Sequence, residues 1–251
     1  MIDTQIHLIP LQNFPLVKPG DDIASLILDT IRNNELVLSE GDIMVVTHSI
    51  ISLAENKIYH LDKVRVSDRA KSIAEKTGHS PEQVEIALSE ARGIIRDNPV
   101  LITKTKHGVI TDYSGIDESN APLGTLIGLP DDPDESAGRI RELLSKKMGF
   151  NIPVIITDTQ GRPWRKGAIN IAIGIAGMKP FIHNAGKEDL YGHDLRGSLI
   201  CLADQIASSV ELVMGQANEG IPVVIVRGIQ FEKGEGSASE IIRSESENLF
   251  S

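Results

Sequence analysis

An acidic, hydroxyl-bearing stretch flanked by arginines is the part of the sequence best suited to chemistry. Asp158 lies between two threonines directly after the apolar run 154–156, and Arg162 and Arg165 follow on a Gly/Pro turn. A short β-branched run bounded by turn residues predicts a buried strand. Carboxylate and hydroxyl oxygens suit a hard divalent cation, and guanidinium groups bind phosphate. The alternative is a surface turn with a hydrogen-bonded aspartate, which is common at strand ends.

Two other loops carry oxygen ligands and follow predicted elements. They are residues 117–120, with the sequence Asp-Glu-Ser-Asn, and residues 216–219, with the sequence Gln-Ala-Asn-Glu. Each loop alone is typical of a solvated turn. Together with Asp158 and the two arginines they predict a hard-metal site, because such sites are assembled from distant parts of a chain.

Composition excludes several classes of function. The formal charge of −10 and the 4% aromatic content argue against a nucleic-acid partner. Cys201 is the only cysteine, so we expect no disulfide and no thiolate metal site, and its apolar neighbours favour a place in the core. No apolar stretch reaches the length of a membrane span, and the N-terminus lacks the features of a signal peptide. We therefore expect a cytoplasmic protein of one domain, 1–251, or of two closely joined lobes.

Strand and helix patterns alternate along the chain and predict a mixed α/β (α+β) fold with mixed sheets. Ser80-Pro81 is a clear helix start, and we expect the apolar stripe of that helix to reach Ala91 and Ile95. Neither a Walker phosphate loop nor a Rossmann fingerprint is present. Strands are predicted at 6–9, 43–46, 99–103, 109–113, 154–156, 169–175 and 222–228, and helices at 23–31, 67–76, 81–95, 133–148 and 201–214, with a last capped helix after Ser237.

A series of motifs in a specific order resembles the coenzyme F420-0:γ-glutamyl ligase family, in its stand-alone archaeal form. The resemblance covers nearly the whole chain. Its motifs are GDIMVVTHSIIS-AEN (41–56), SDRAKSIAEKTG (67–78), GIDESN (115–120), VIITDTQGRPWRKG (154–167), AIGIAGM (172–178), GKEDLYGHDL (186–195) and ELVMGQANEGIPVVIVRG (211–228).

The resemblance implies GTP-dependent addition of L-glutamate to coenzyme F420-0, followed by γ-linked addition of a further glutamate. It also implies two divalent ions, Mn²⁺ or Mg²⁺, a monovalent cation such as K⁺, and a homodimer. The implied metal ligands are Asp117, Asp158, Thr159 and Gln216. The implied nucleotide contacts are Phe14, Pro15, Leu16, Val17, His48, Ser49, Asn120, Met214, Gly215, Gln216, Ala217, Asn218, Glu219, Gly220 and Ile221.

Chemistry of this kind requires a poor acyl donor to be activated, with an acyl phosphate as the expected intermediate. Asp117 and Asp158 would hold the metals. Arg162 and Arg165 are our candidates for binding anionic substrate or phosphate, from residue type alone. His48 by itself would more often be a hydrogen-bonded structural residue than a ligand.

Two positions depart from the family pattern. Leu53 stands where relatives carry a nucleotide-binding lysine, and Lys57 is the nearby residue that would compensate in part. Gln216 stands where some relatives have glutamate, which would weaken one metal position by removing a charge. Two other functions therefore stay open: a metal-dependent phosphohydrolase that uses the same aspartates, and a nucleotide- or deazaflavin-binding homologue with impaired catalysis.

Overall fold

The computed structural model describes residues 5–250. Its strands are β1 (His7–Pro10), β2 (Ile43–Thr47), β3 (Ile58–His60), β4 (Ala91–Asp97), β5 (Leu101–Thr105), β6 (Ile110–Asp112), β7 (Thr125–Ile127), β8 (Val154–Arg162), β9 (Arg165–Ala176), β10 (Phe181–His183), β11 (Leu199–Cys201) and β12 (Val223–Arg227). Its α-helices are α1 (Ile23–Asn33), α2 (His48–Ala54), α3 (Asp68–Thr77), α4 (Pro81–Glu90), α5 (Pro133–Met148) and α6 (Leu202–Met214).

A five-stranded sheet in the order β1-β12-β2-β8-β9 forms the centre of the molecule. Only the β2–β8 pair within this sheet is parallel, and the other three pairs are antiparallel. Smaller antiparallel sheets pair β3 with β7, β10 with β11, and β4 with β5 and β6. The expected mixed α+β fold with mixed sheets is confirmed.

Alternation along the buried strands supplies a separate core on each face of the sheet. In β2, Met44 and Val46 pack with α1, α2 and α5, whereas Ile43 and Val45 pack with α6. α5 begins close to the sheet at Gly174, where an added Cβ would lie 2.4 Å from the carbonyl oxygen of Pro133. Only glycine permits α5 to begin there.

A third core lies apart from the central sheet, in what we call the small lobe (residues 57–129). It is formed by α3, α4 and the β4-β5-β6 sheet, with Leu101, Tyr113 and Leu126 among its buried members. The small lobe therefore has its own packing centre. It joins the rest of the chain through α2 on one side and the start of α5 on the other.

Helix boundaries follow the capping signals in the sequence. Ser67, Ser80 and Asp132 each accept a hydrogen bond from a first-turn N–H, and Gly78 and Gly149 end their helices in the left-handed region. The helix predicted after Ser237 is one 3₁₀ turn, Ala238–Ile241, although Ser237 and Glu240 form the expected capping box.

Two further predictions about elements are wrong. The helix that starts at Ser80 ends at Glu90, and Ala91 and Ile95 belong to β4. β-branched residues and glycine in this segment favour strand pairing over the helical period. The strand predicted at 154–156 is also longer than expected. β8 continues to Arg162 because its polar residues pair with β9 through the backbone, so 154–176 is one long hairpin.

No α-helix in the described range 5–250 is both long enough and apolar enough to cross a lipid bilayer.

Candidate functional site

A cleft of about 930 Å³ lies between the central sheet and the small lobe. Three parts of the chain form its walls. The first is the segment after β1 and the start of α2, at Phe14–Val17 and Thr47–Ile50 with Leu53. The second is the β8-β9 hairpin and the turn after α6, at Asp158, Thr159, Gly161, Ala168, Asn170, Met214–Ala217 and Glu219–Pro222. The third is the small lobe, at His79, Gln83, Val100, Thr111–Tyr113, Gly115–Asp117 and Ser119–Pro122.

Parallel pairing explains why His48 and Asp158 meet at the floor of the cleft. Thr47 of β2 pairs with Thr157 of β8, and β2 then turns directly into α2. From Asp158 onward β8 has no partner on that side, so the cleft opens there. His48 Nε2 lies 3.2 Å from Asp158 Oδ1, and both side chains are buried.

A register shift in the β8-β9 hairpin falls between Ile156 and Thr157, immediately before the polar residues. Such bulges redirect side chains and are common next to active sites. Here Asp158 Oδ1 accepts a hydrogen bond from the Thr159 N–H at 2.8 Å, which restrains the carboxylate. The position of Asp158 thus depends on the sheet backbone.

Thr159 joins the hairpin to the turn after α6. Its hydroxyl lies 2.8 Å from Asn170 Oδ1 and 3.1 Å from Gln216 Oε1. Gln216 Nε2 also donates to Glu211 Oε1 at 2.8 Å. Three oxygen-bearing side chains from residues far apart in the sequence therefore meet at one end of the cleft.

Asp117 reaches the cleft from the small-lobe side. Its backbone N–H and C=O bond Ile127 at 2.9 and 2.8 Å, and its Oδ1 accepts from the Ser119 N–H at 2.7 Å. Asp117 and Asp158, 41 residues apart in the chain, line the same cleft as the sequence analysis requires.

Charge in the cleft is unbalanced. Its lining contains Asp112, Asp117, Asp158 and Glu219, and no lysine or arginine from residues 5–250. A polyphosphate would be repelled by these carboxylates unless cations entered with it. Burial lowers the pKa of His48, but the charges of Asp158 and Asp117 and the hydrogen bond to Asp158 outweigh burial and raise it overall. The negative electrostatic potential of these carboxylates, which favours protonated His48, would also favour a bound metal ion.

The donors fit a hard divalent cation. Asp117, Asp158, Thr159 and Gln216 supply oxygen ligands only, which Mg²⁺ and Mn²⁺ prefer. Within residues 5–250, no cluster of three or more His, Cys, Asp or Glu side chains has a metal-binding arrangement. The two carboxylates would therefore need neutral oxygens to complete a coordination shell.

Most of the expected site residues line the cleft, and three do not. Asn218 is exposed in the turn after α6, outside the lining. Arg162 folds onto its own hairpin and donates to the carbonyls of Lys166 and Gly167 at 3.0 and 3.2 Å. Arg165 is exposed at the hairpin tip. Their roles toward substrate stay predictions.

Leu53 lines the cleft and is buried, and its expected position near a nucleotide stays a prediction. Lys57 lies outside the lining, and its Nζ is 2.6 Å from Asp131 Oδ1. It is therefore engaged elsewhere in the protein and does not take the place of a cleft lysine.

Sequence reasoning identified Asp117 and Asn120 on the small-lobe wall of the cleft and missed the rest of that wall. Gln83, Thr111 and Tyr113 belong to elements that were predicted, and His79 lies between two predicted helices, yet no motif assigned them to a site. Asn170 was missed as well, because it lies inside an apolar strand pattern. Cys201 is half-buried against the core around α6, and burial raises its thiol pKa to about 12, which disfavours the thiolate that a nucleophile needs.

Comparison with known proteins shows the family to which the chain belongs. Residues 12–228 match the family described as F420-0:Gamma-glutamyl ligase. The chain belongs to this family. Three relatives, each named Coenzyme F420:L-glutamate ligase, support the assignment. The protein of Methanopyrus kandleri is 43% identical over 98% of this chain and 97% of its own length. Those of Methanothermobacter thermautotrophicus and Archaeoglobus fulgidus are each 41% identical, over 98% of this chain and 98% and 96% of their own lengths.

An F420-0:γ-glutamyl ligase is an enzyme of the ligase class. The polar motifs that carry the family resemblance therefore belong to an enzyme. The cleft that contains Asp117 and Asp158 is its candidate active site.

Proposed function

We propose that this enzyme catalyses the GTP-dependent addition of L-glutamate to coenzyme F420-0, and then γ-linked addition of a further glutamate. The reaction belongs to coenzyme F420 biosynthesis. The names of the relatives support the acceptor and the amino acid. The cytoplasmic location expected from the sequence stays a prediction.

One observation carries the proposal of a metal-assisted phosphoryl transfer. Two aspartates and two neutral oxygen ligands from three segments line one cleft, which has no lysine or arginine in its described lining. Enzymes that transfer phosphoryl groups must offset the charge of the triphosphate, by metal ions, by basic side chains or by both. In this cleft the metal ions would supply most of that charge.

The proposed chemistry has two steps. A carboxylate oxygen of the acceptor attacks the γ-phosphorus of GTP, the bond to the β-phosphate oxygen breaks, and GDP leaves. The amine of glutamate then attacks the acyl carbon, phosphate leaves with the bonding electrons, and the amine loses its proton. The protein must hold two anions together and exclude the water that would hydrolyse the acyl phosphate.

Divalent ions, when bound, would neutralise phosphate charge and polarise the γ-phosphoryl group. Asp117, Asp158, Thr159 and Gln216 would hold them. His48, hydrogen-bonded to Asp158 and 3.3 Å from the Ser52 hydroxyl, would orient the Asp158 carboxylate. We include K⁺ in the proposal as a monovalent activator, to be tested by replacing K⁺ with Na⁺.

We also propose a homodimer. The segment between β10 and β11 is an arm with Leu190 and Tyr191 fully or mostly exposed at its tip. The Asp189 carboxylate accepts hydrogen bonds from the N–H groups of Tyr191 and His193, so the tip is held in one shape. Burial of such rigid, exposed apolar groups against a second copy of the chain is more favourable than their exposure to solvent. Light scattering of wild type and Leu190→Asp tests this, and a wild-type monomer would contradict it.

One assay separates the proposed function from the alternatives. The enzyme is incubated with GTP, Mn²⁺, glutamate and F420-0, and GDP and the deazaflavin product are followed by mass spectrometry. We expect GDP release that depends on both glutamate and F420-0, with a product heavier by one or more glutamyl residues. GDP release without glutamate would indicate a phosphohydrolase, and binding without turnover would indicate an impaired homologue.

A further inference from the structure

We propose that Glu211 is a positioning residue that fixes the side-chain amide of Gln216, so that the amide oxygen stays free to bind a divalent cation in the cleft. The inference rests on the proposed function, because it assumes that Gln216 belongs to the metal-binding set. It goes beyond that set, because Glu211 lies outside the cleft lining and acts only through Gln216.

Both carboxylate oxygens of Glu211 accept a hydrogen bond. Oε2 accepts from the backbone N–H of Asn170 in β9 at 3.0 Å, and Oε1 accepts from Gln216 Nε2 at 2.8 Å. Glu211 itself lies in the last turn of α6. The carboxylate therefore connects the helix, the strand β9 and the turn that follows α6.

The partners of Gln216 decide the orientation of its amide, which could otherwise sit either way round. An ionised carboxylate has no proton to donate, so the Gln216 group that faces Glu211 has to be the NH₂ group. The reverse orientation would place the amide oxygen 2.8 Å from a carboxylate oxygen. Asn170 Oδ1, a second acceptor, lies 3.4 Å from the same Nε2. Two acceptors therefore select one orientation.

The hydroxyl of Thr159 leaves the amide oxygen of Gln216 available. A hydroxyl donates one proton, and Asn170 Oδ1 at 2.8 Å is nearer to Thr159 Oγ1 than Gln216 Oε1 is, at 3.1 Å. Gln216 Nε2 also donates to this hydroxyl at 2.9 Å. A chain in which Gln216 donates to Thr159 and Thr159 donates to Asn170 satisfies all three side chains. In the described part of the protein, the Gln216 oxygen then needs no further donor.

An available amide oxygen in this cleft suits a hard cation. Amide oxygens ligate such cations but add no charge, and Gln216 lines the cleft together with Asp117 and Asp158. A carboxylate at position 216 would offer an oxygen in either orientation, whereas glutamine offers one oxygen and one NH₂ group. The NH₂ group would repel a cation. Glutamine therefore needs an orienting partner at this position, and Glu211 supplies it.

The test is a double-mutant cycle on Mn²⁺ binding. Glu211→Gln keeps the shape of the side chain, but its amide has one acceptor oxygen where Asn170 and Gln216 require two. Gln216→Ala removes the oriented group. Binding of Mn²⁺ to the enzyme without nucleotide is measured from the EPR signal of unbound Mn²⁺, for wild type, both single variants and the double variant.

Ser208→Ala is the matched structural control. Ser208 Oγ donates to the Asn170 carbonyl at 2.7 Å from the same helix, so this variant weakens the same attachment of α6 to β9 and leaves the Glu211–Gln216 contact in place. Urea unfolding of each variant measures the structural loss separately. We expect a lower urea midpoint in both Ser208→Ala and Glu211→Gln, and an unchanged Kd for Mn²⁺ in Ser208→Ala.

We expect Glu211→Gln to raise the Kd for Mn²⁺ about 10-fold, which is typical for loss of a group that orients a metal ligand. In the Gln216→Ala background the same substitution should change the Kd by less than about 2-fold, because the group that Glu211 orients is absent. A purely electrostatic role of Glu211 predicts equal losses in both backgrounds, since a charge acts on the cation without Gln216.

An unchanged Kd in Glu211→Gln or in Gln216→Ala overturns the inference, and so do equal losses in both backgrounds. A similar rise of the Kd in Ser208→Ala also overturns it, because the effect would then come from the backbone of β9. Wild type that binds no Mn²⁺ overturns it as well. Wild type that forms no glutamylated product from F420-0, glutamate and GTP contradicts the proposed function instead, and that assay needs no variant.

Discussion

The two sides of the cleft hold their functional groups by different means. On the sheet side, Asp158 and Thr159 lie in β8 and are positioned by ladder hydrogen bonds and by a buried core on each face. On the small-lobe side, Tyr113 and Asp117 lie on irregular backbone held by side-chain hydroxyls and a short bridge to Ile127. The backbone hydrogen bonds of a sheet share the stabilisation among many residues, whereas a strained turn depends on a few hydrogen bonds. We therefore expect substitutions on the sheet side to affect chemistry and those on the small-lobe side to affect stability as well.

The largest effect should follow from Asp158→Ala on the sheet side. The variant removes a proposed metal ligand and the partner of buried His48, so we expect glutamate-dependent GDP formation to fall by about 100-fold or more. Asp112→Ala is the matched control, because Asp112 is a carboxylate in the same cleft without a proposed metal role. Full turnover by Asp158→Ala would remove this residue from the metal role.

Ser114 tests the small-lobe side. Ser114→Ala leaves buried partners of its hydroxyl unsatisfied and should lower the free energy of unfolding by about 1–3 kcal/mol. Ser114→Gly loses the same hydrogen bonds but adopts a positive φ without the Cβ penalty, so it should be more stable than Ser114→Ala by about 1 kcal/mol. Urea unfolding measures both. Equal stabilities of the two variants would show that the left-handed turn is not strained.

Leu53→Lys tests the charge balance of the cleft from α2. A lysine at this buried position would place a cation among four lining carboxylates, and we expect the KM for GTP to fall by about 2- to 5-fold. Lys57→Leu is the control, since Lys57 pairs with Asp131 outside the lining. An unchanged KM for GTP in Leu53→Lys would show that the side chain does not reach phosphate.

The smallest effect concerns the joint between β3 and the end of α4, both within the small lobe, where the Tyr59 hydroxyl donates to Glu90 Oε1. Burial raises the pKa of Glu90, but hydrogen bonds from Lys106 and Tyr59 and the charge of Lys57 outweigh burial and hold it below its ordinary 4.5. A carboxyl with a lowered folded-state pKa stabilises the fold above its unfolded-state pKa, and this contribution is lost as pH falls through the folded-state value. The free energy of unfolding should thus decline below about pH 4.5. The expected loss is less than about 1 kcal/mol, because Glu90 is only half-buried.

Glu90→Gln should reduce that acid dependence in urea unfolding between pH 3 and 7. Glu235→Gln, at an exposed carboxylate paired with Arg141, serves as the comparison. An identical pH profile for wild type and Glu90→Gln would show that the joint does not depend on the charge of Glu90.

Local signals in the sequence were sufficient for much of the architecture. Ser67, Ser80 and Gly149 predicted helix ends correctly because a cap acts within one turn of the chain. Period-2 or continuous apolar runs predicted the buried strands for a similar reason. The error at Ala91–Asp97 arose because the apolar residues of this segment fit both the period of a helix and the alternation of a strand. Only the pairing with β5 decided that the segment is a strand.

The sequence by itself determined the fold class, the family motifs and the oxygen-rich loops, because these depend on residue type and near neighbours. Tertiary structure alone decided that Asp117, Asp158 and Gln216 share a cleft and that Tyr113 lines the small-lobe wall of that cleft. It also decided that Arg162 and Lys57 bond to groups outside the cleft. Such facts depend on contacts between residues tens of positions apart. The parallel pairing of β2 with β8 and the left-handed turn at 113–115 bring those contacts about, and neither has a signature in local sequence.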